Sequence, residues 1–256
     1  MKTHELLAVA VGAAQDAGEL LAEYFESPAR GVRTKTSVRD LVSEADLAAE
    51  KLLRDRLLAA RPQDGVVGEE YGESSGSSGL TWAIDPLDGS ANFLSGIPHW
   101  NVSIGCRDDH SSLVGAIFDP LRNEMFAAGR QLGATLNGGS LAGMPCTTLE
   151  SAIVHIGLAI GGSARARRVF ETLVPQLLDQ RYFGSLALDI AWTAAGRFDA
   201  CYYEYAAAPW DTAAGDVICQ EAGLQVVHIE TDGTKPAAFL AAPPTLLEPL
   251  LEALAN

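Results

Sequence analysis

The chain is short of three things, and each shortage excludes something. Cysteine is scarce: among 256 residues there are four, Cys106, Cys146, Cys201 and Cys219. They lie far apart with no CxxC, which argues against a cysteine-held zinc ion and leaves them as small core hydrophobes in a reducing compartment. Positive charge is scarce as well. Eighteen Lys and Arg stand against 33 Asp and Glu, a formal net charge of −15. A nucleic-acid surface normally needs a basic stripe to displace counterions, so no nucleic-acid partner is expected. Long apolar runs are missing too. No stretch reaches about eighteen uncharged apolar residues, so no membrane span and no membrane partner are expected. Met1-Lys2-Thr3-His4-Glu5 lacks the charged-then-apolar order of a signal peptide, and Glu19 and Glu23 interrupt the next segment. A cytoplasmic protein is expected.

What is present suits a folded enzyme. Hydrophobic residues at 48% and charged residues at 20% are ordinary for a globular chain long enough to bury a proper core. Apolar residues at helical spacing predict a helix over 5–25, ended by Pro28 and Gly31. Ser43 followed by Asp46 reads as a capping box opening a second helix, which Arg61-Pro62 stops. Val66-Val67 reads as a short strand ending at Glu69-Glu70, and residues 73–79 as a surface loop. Thr81–Ile84 reads as a buried strand running into a turn at Asp85–Gly89. Strands are predicted at 102–106, 113–118 and 124–128, with a hairpin at Asp108-Asp109. In the second half, strands at 152–156, 198–203 and 224–229 mix with helices at 164–179, 186–195 and 212–222. A final helix starts near Pro244. Without strict βαβ alternation, this order favours an α+β layered arrangement.

The acidic residues carry the chemistry. A strand delivers Asp85, Pro86 bends the chain, and Asp88 comes three residues later, before Gly89. That spacing can turn two carboxylates and the Leu87 carbonyl into one small volume. Hard oxygen donors of this kind suit Mg²⁺, which binds through a few carboxylates together with substrate phosphate. Ser90-Ala91-Asn92 reads as a first helical turn whose N–H groups can hold phosphate oxygens. The same DPLDG string is equally an ordinary surface turn, since Asp, Pro and Gly favour turns for conformational reasons. Glu69-Glu70 at a strand end and Trp210-Asp211 at a helix start shift the balance towards a site. An acidic protein that handles an anion must neutralise it locally, and a bound cation does so most simply.

Two strings make the chain resemble the inositol monophosphatase family of Mg²⁺-dependent, lithium-sensitive phosphatases. They are Trp82-Ala83-Ile84-Asp85-Pro86-Leu87-Asp88-Gly89-Ser90-Ala91-Asn92-Phe93 and Trp210-Asp211-Thr212-Ala213-Ala214-Gly215, the latter with Glu221-Ala222-Gly223 beyond it. Lys35, Asp40-Leu41-Val42, Asp46, Gly68-Glu69-Glu70, Asp119-Pro120, Leu136-Asn137-Gly138 and Gly184-Ser185 keep the family order. The resemblance implies a layered αβαβα sandwich of the inositol monophosphatase and fructose-1,6-bisphosphatase type. It implies one domain over 1–256, with an N-terminal α+β half at about 1–145 and a C-terminal α/β half at about 146–256, generally as a homodimer.

The resemblance further implies two or three Mg²⁺ ions. Glu69, Asp85 and the Leu87 carbonyl would hold the first, Asp85, Asp88 and Asp211 the second, and Glu69 a weaker third. A metal-activated water would attack phosphorus, with Ser90, Asp46 and Glu69 orienting it and Lys35 adding positive charge. Gly89 and Ser90 N–H groups would bind phosphate. Asp88, Gly184, Ser185, Leu186, Glu204 and Asp211 would contact the polyol side. The implied substrate is myo-inositol 1-phosphate or a related small polyol or sugar phosphate. Alternatives are histidinol phosphate, fructose 1,6-bisphosphate, 3′-phosphoadenosine 5′-phosphate, or a non-catalytic partner-binding role.

Departures from the family pattern are Ser90 where threonine is usual, Leu186 where alanine is common, and His155, for which no family role is known. His155 is read as a surface or core residue, and Trp100, Trp192 and Trp210 as core rather than ligand stackers.

Overall fold

The computed structural model describes residues 3–26, 32–34, 41–143, 146–158, 164–204, 208–231 and 235–255, and only the backbone of some of these. In chain order, α1 (Thr3–Glu26) leads to a small hairpin of β1 (Val32–Thr34) and β2 (Leu41–Ser43), then α2 (Glu44–Ala60). Next come β3 (Gly65–Gly68), β4 (Gly72–Ser74), β5 (Thr81–Asp88) and the short α3 (Ser90–Ser95). Then a meander is built from β6 (Asn101–Arg107), β7 (Ser112–Asp119), β8 (Glu124–Gly129), β9 (Gly133–Leu136) and β10 (Gly139–Leu141). The second half holds β11 (Ile153–Gly157), α4 (Ala164–Arg168), β12 (Asp179–Arg181), α5 (Leu186–Ala194) and β13 (Ala200–Glu204). It ends with α6 (Pro209–Glu221), β14 (Gln225–Thr231), β15 (Lys235–Ala242) and α7 (Pro244–Ala255).

These elements stack as αβαβα. The first sheet runs β10-β9-β8-β7-β6-β5-β3-β4 and the second β12-β11-β13-β15-β14. The first is antiparallel except where β3 lies parallel to β5. In the second, β12, β11 and β13 are parallel, while β13, β15 and β14 are antiparallel. On α1, Leu6, Ala10, Ala13, Ala14, Ala17 and Leu21 form one buried stripe that packs, beside α2, on the outer face of the first sheet. Each buried leucine there contributes about 2 kcal/mol by leaving water. Helices α5 and α6 fill the space between the sheets, and α7 covers the far face of the second.

The middle layer fits because the sheet beneath α6 has no side chains where they would obstruct it. Gly105 and Gly115 are register partners on β6 and β7. A Cβ at Gly105 would stand 2.6 Å from Ala213 Cβ, and one at Gly115 would stand 2.4 Å from the Ala214 carbonyl oxygen. Two facing glycines and two alanines therefore set how close α6, and Asp211 on its first turn, lies to the sheet.

Most predicted elements form, with informative differences. β5 does not stop at Ile84 but continues to Asp88 through a bulge. Asp85 pairs with Ser103 and Asp88 with Asn101, so that Pro86 and Leu87 on one strand oppose Val102 alone on its neighbour. Pro86 donates no N–H and is tolerated at such a bulge. The predicted 164–179 helix breaks up. After α4 come a wide π turn at Val169–Leu173 and a 3₁₀ turn at Val174–Gln176 containing Pro175, then β12. The predicted 73–79 loop begins inside β4, and β15 is a strand with no counterpart among the predicted elements. All four cysteines are buried free thiols. No helix among the described residues is long and apolar enough to cross a membrane.

Candidate active site

The bulge in β5 is what makes the site. Along a regular strand, residues i and i+3 face opposite sides. One extra residue between Asp85 and Asp88 restores them to the same face, opposite Ser103 and Asn101, which lie two apart on β6. Asp85 Oδ1 accepts the Leu87 N–H at 3.0 Å, folding the carboxylate over the bulge. Gly89 then takes a left-handed turn, φ 90°. A Cβ there would meet His99 O at 3.0 Å and Ser185 Cβ at 3.2 Å, so glycine alone lets these segments converge. Ser90 opens α3. Its hydroxyl donates to the Leu87 carbonyl at 3.0 Å and reaches Asp46 Oδ2 at 3.5 Å, joining the two groups that the family pattern pairs.

Asp88 links the sheet to α5. Its Oδ2 accepts from Asn101 Nδ2 (2.7 Å), Ser185 Oγ (2.7 Å) and Ala187 N–H (2.8 Å), and its Oδ1 accepts from Leu186 N–H (3.1 Å). A carboxylate thus sits where the N-terminal N–H groups of α5 lack partners of their own, the end of the helix dipole that favours negative charge. Gly184, at φ 82°, shapes the approach, and Leu186 turns its side chain into the core while its N–H faces Asp88. Asp211 is the third residue of α6, after Pro209 at the helix start. Its Oδ2 accepts the Ala208 N–H at 3.0 Å, which fixes the side chain against the helix end.

The electrostatics tie these segments together. Asp85 is buried, and burial pushes its carboxyl well above the ordinary range. Glu69, Asp88, Asp46 and Asp211 push it further the same way. Burial raises Asp211 to about 7, with Asp88 and Glu69 adding repulsion against the opposing Ala208 hydrogen bond. Five carboxylates from α2, the turn after β3, β5 and α6 therefore share one field. Among the described residues no group of three or more His, Cys, Asp or Glu is already arranged to hold a metal ion. The acids are near enough to repel one another. As a donor set they fit a hard divalent cation: all oxygen, and destabilised by mutual repulsion that such an ion relieves.

Glu204 is buried at the end of β13, and residues 205–207, which lead from it towards α6, lie outside the described residues. Lys35 also lies outside them. Three residues have supporting roles that the sequence reading did not assign. Asn101 bridges Asp88 and Ser185, donating at 2.7 and 2.9 Å. Asn92 Nδ2 donates to the His99 and Phe183 carbonyls at 2.8 and 2.7 Å. Glu50 accepts from the backbone beside Glu69. The available signal was polar side chains between apolar neighbours, Asn101 between Trp100 and Val102 and Asn92 between Ala91 and Phe93; Glu50, followed by Lys51, gave none.

Behind α5, His99 Nε2 lies 3.0 Å from Asp189 Oδ1 and His155 Nδ1 lies 3.3 Å from Asp189 Oδ2. Burial holds His99 and His155 down, to about 4 and about 3, and pushes Asp189 well above the ordinary carboxylate range. His155 is thus a core residue. Trp100 is fully buried, while Trp192 and Trp210 are half-buried, with the Arg122 and Arg197 guanidiniums 5.0 and 4.8 Å from the Trp192 ring. A separate cavity of about 430 Å³ is lined by Arg107, His228 and the Thr212–Asp216–Gln220 face of α6, and by none of the five acids.

A layered αβαβα sandwich with a bulged Asp-Pro-Leu-Asp strand, a helix-borne aspartate and their acidic neighbours defines a class of phosphatases that depend on metal ions. The chain belongs to the inositol monophosphatase family, whose model matches residues 2–255. It is 38% identical over 224 residues to the Nus factor SuhB of Escherichia coli K12, covering 86% of this chain and 84% of that protein. It is 38% identical over 237 residues to the inositol-1-monophosphatase of Mycobacterium bovis, covering 87% and 81% respectively. In structure it resembles the extragenic suppressor protein suhB of Bartonella henselae, with a TM-score of 0.91 at 31% identity, covering 98% of this chain and 99% of that one.

Proposed function

We propose that this chain is a Mg²⁺-dependent phosphomonoesterase acting on myo-inositol 1-phosphate or a related small polyol or sugar phosphate. The observation that carries the reading is the field at Asp85, where four further carboxylates oppose ionisation of a buried acid. Glu69, Asp85, the Leu87 carbonyl, Asp88 and Asp211 would hold the ions. Bound there, Mg²⁺ supplies Lewis acidity that acidifies water and offsets phosphate charge.

The remaining roles belong to the chain itself. Ser90, whose hydroxyl donates to the Leu87 carbonyl or to Asp46, would form with Asp46 the pair that, together with Glu69, orients a water. Gly89 lets the chain approach a phosphate closely, and the Gly89 and Ser90 N–H groups hold it, with Lys35 as a further positive charge. Gly184, Ser185, Leu186 and Glu204, with Asp88 and Asp211, would contact the polyol. The protein is read as a cytoplasmic homodimer, a state that light scattering after size exclusion tests directly.

The test is phosphate release from myo-inositol 1-phosphate, fructose 1,6-bisphosphate, histidinol phosphate and 3′-phosphoadenosine 5′-phosphate, with Mg²⁺ and then with EDTA. Turnover on the inositol ester that EDTA abolishes supports the reading, and preference for another ester reassigns the substrate. A second reading, partner binding, draws on the similarity to a protein named a Nus factor. Absence of turnover on every ester, together with co-purifying transcription proteins, would favour it.

A further inference from the structure

We infer that Glu50 is a positioning residue for Glu69, and that α2 holds the two walls of the carboxylate site in register. The inference rests on the reading of Glu69 as a metal ligand. Asp46, Glu50 and Arg54 occupy positions i, i+4 and i+8 of α2, so they line one face. Each meets a different part of the site's frame. Asp46 reaches Ser90, at the start of α3. Glu50 holds the turn after β3: its Oε2 accepts the Glu70 N–H at 2.6 Å and its Oε1 the Tyr71 N–H at 3.1 Å. Arg54 donates from Nε to Glu50 Oε1 at 2.8 Å, and from its other nitrogens to the Gly72 carbonyl and to Ser74 Oγ (3.3 Å).

Glu69 is held on both sides by one carboxylate. After it, Glu70 donates to Glu50. Before it, Gly68 lies so close that a Cβ would stand 2.4 Å from Glu50 Oε1. Glu50 itself is 0% exposed, whereas Glu69 is exposed. Stability alone does not require this arrangement, because a buried ion pair is commonly replaceable by apolar residues at little cost. What an apolar residue cannot do is accept two backbone N–H groups and thereby fix the direction in which the side chain between them leaves the turn. Outer partners of this kind orient metal ligands elsewhere, and their loss weakens metal binding about 10- to 100-fold.

The test is Glu50→Gln in the full-length protein, with Mg²⁺ binding measured by calorimetry without substrate and the melting temperature measured in EDTA. Glutamine keeps the shape but has one acceptor oxygen, so its NH₂ group faces an N–H or Arg54. Affinity is expected to fall about tenfold. Asp64→Asn is the control. Asp64 is similarly buried at the other end of β3, where it accepts from Arg61 and from Trp82 Nε1, and its loss is expected to lower the melting temperature while leaving Mg²⁺ affinity within about twofold.

The decisive comparison is Glu50→Gln in a Glu69→Gln background. If Glu50 acts through Glu69, the double variant binds Mg²⁺ no more weakly than Glu69→Gln alone. Wild-type affinity in Glu50→Gln, or full additivity in the double variant, overturns the positioning role and leaves the active-site reading standing. Wild-type affinity in Glu69→Gln overturns both. Should Glu50→Gln not fold, Arg54→Met is expected to show the same non-additivity with Glu69→Gln, and additivity there overturns the inference.

Discussion

At the scale of single residues, Asp88 has two tasks that are usually separate: it is read as a metal ligand, and it completes the N-terminus of α5. Asn101 bears on both, since it donates to Asp88 and to Ser185. Asn101→Ala takes one donor from half-buried Asp88, which keeps Ser185 and Ala187, and one from the buried Ser185 hydroxyl, a loss of about 1 kcal/mol. It also removes the hold on Asp88 from the sheet side, leaving only the donors at the start of α5. The expected outcome is a lower melting temperature together with a raised Mg²⁺ requirement for phosphate release. A melting shift without a changed Mg²⁺ requirement would confine Asn101 to a structural role. Ser90 offers a sharper test. Ser90→Ala removes one hydroxyl beside Leu87 and Asp46, on the part of the site read as orienting water. General acid–base contributions of this kind are about 10²–10⁴-fold, so kcat is expected to fall by at least about a hundredfold with KM little changed. An unchanged kcat would remove Ser90 from that role.

At the scale of elements, Gly105 and Gly115 explain why the alanine-rich start of α6 accompanies Asp211. The helix must lie almost on the backbone of β6 and β7 for its first turn to reach β5. Gly115→Ala would press a methyl against the Ala214 carbonyl and force α6 outward. Such overpacking costs about 1–3 kcal/mol, and displacement of Asp211 is expected to weaken Mg²⁺ binding as well. An equal melting loss with unchanged Mg²⁺ affinity would mean that α6 bends elsewhere and leaves its first turn in place. The same elements show how far sequence reasoning reached. Helical periodicity located α1, and capping and breaker residues located α2, because those signals are local. Asp85, Asp88 and Asp211 were legible through their strings. The β5 bulge was not, since Asp-Pro-Leu-Asp-Gly is turn chemistry by itself and only pairing with Ser103 and Asn101 makes it a strand. Nor was β15, whose identity depends on lying between β13 and β14. Glu50 escaped for the same reason: its partners are twenty residues away and are backbone atoms.

At the scale of the whole molecule, the acid cluster makes folding depend on pH and on cation together. Burial, with neighbouring carboxylates, raises Asp211 to about 7 and lifts Asp85 as well, while an unfolded aspartate titrates near 3.9. Proton counts set the sign. Between about pH 4 and pH 7 the metal-free fold holds protons that the unfolded chain has released, so stability falls as pH rises through that window. Groups such as Asp64 act in the opposite sense. Burial pushes its carboxyl up, but hydrogen bonds from Arg61, Ser78 and Trp82 outweigh this and lower it, so its contribution is present above about pH 4 and lost in stronger acid. In EDTA the melting temperature is therefore expected to peak near pH 5 and decline towards pH 8. Saturating Mg²⁺ favours the ionised acids and stabilises the fold by mass action, so the Mg²⁺-induced rise is expected to be larger at pH 8 than at pH 5. Asp211→Asn, which no longer titrates, is expected to flatten the decline in EDTA. A metal-free profile that climbs steadily from pH 5 to pH 8 would mean that the acids are ionised in the fold without a cation. The repulsion at Asp85 would then no longer argue for one.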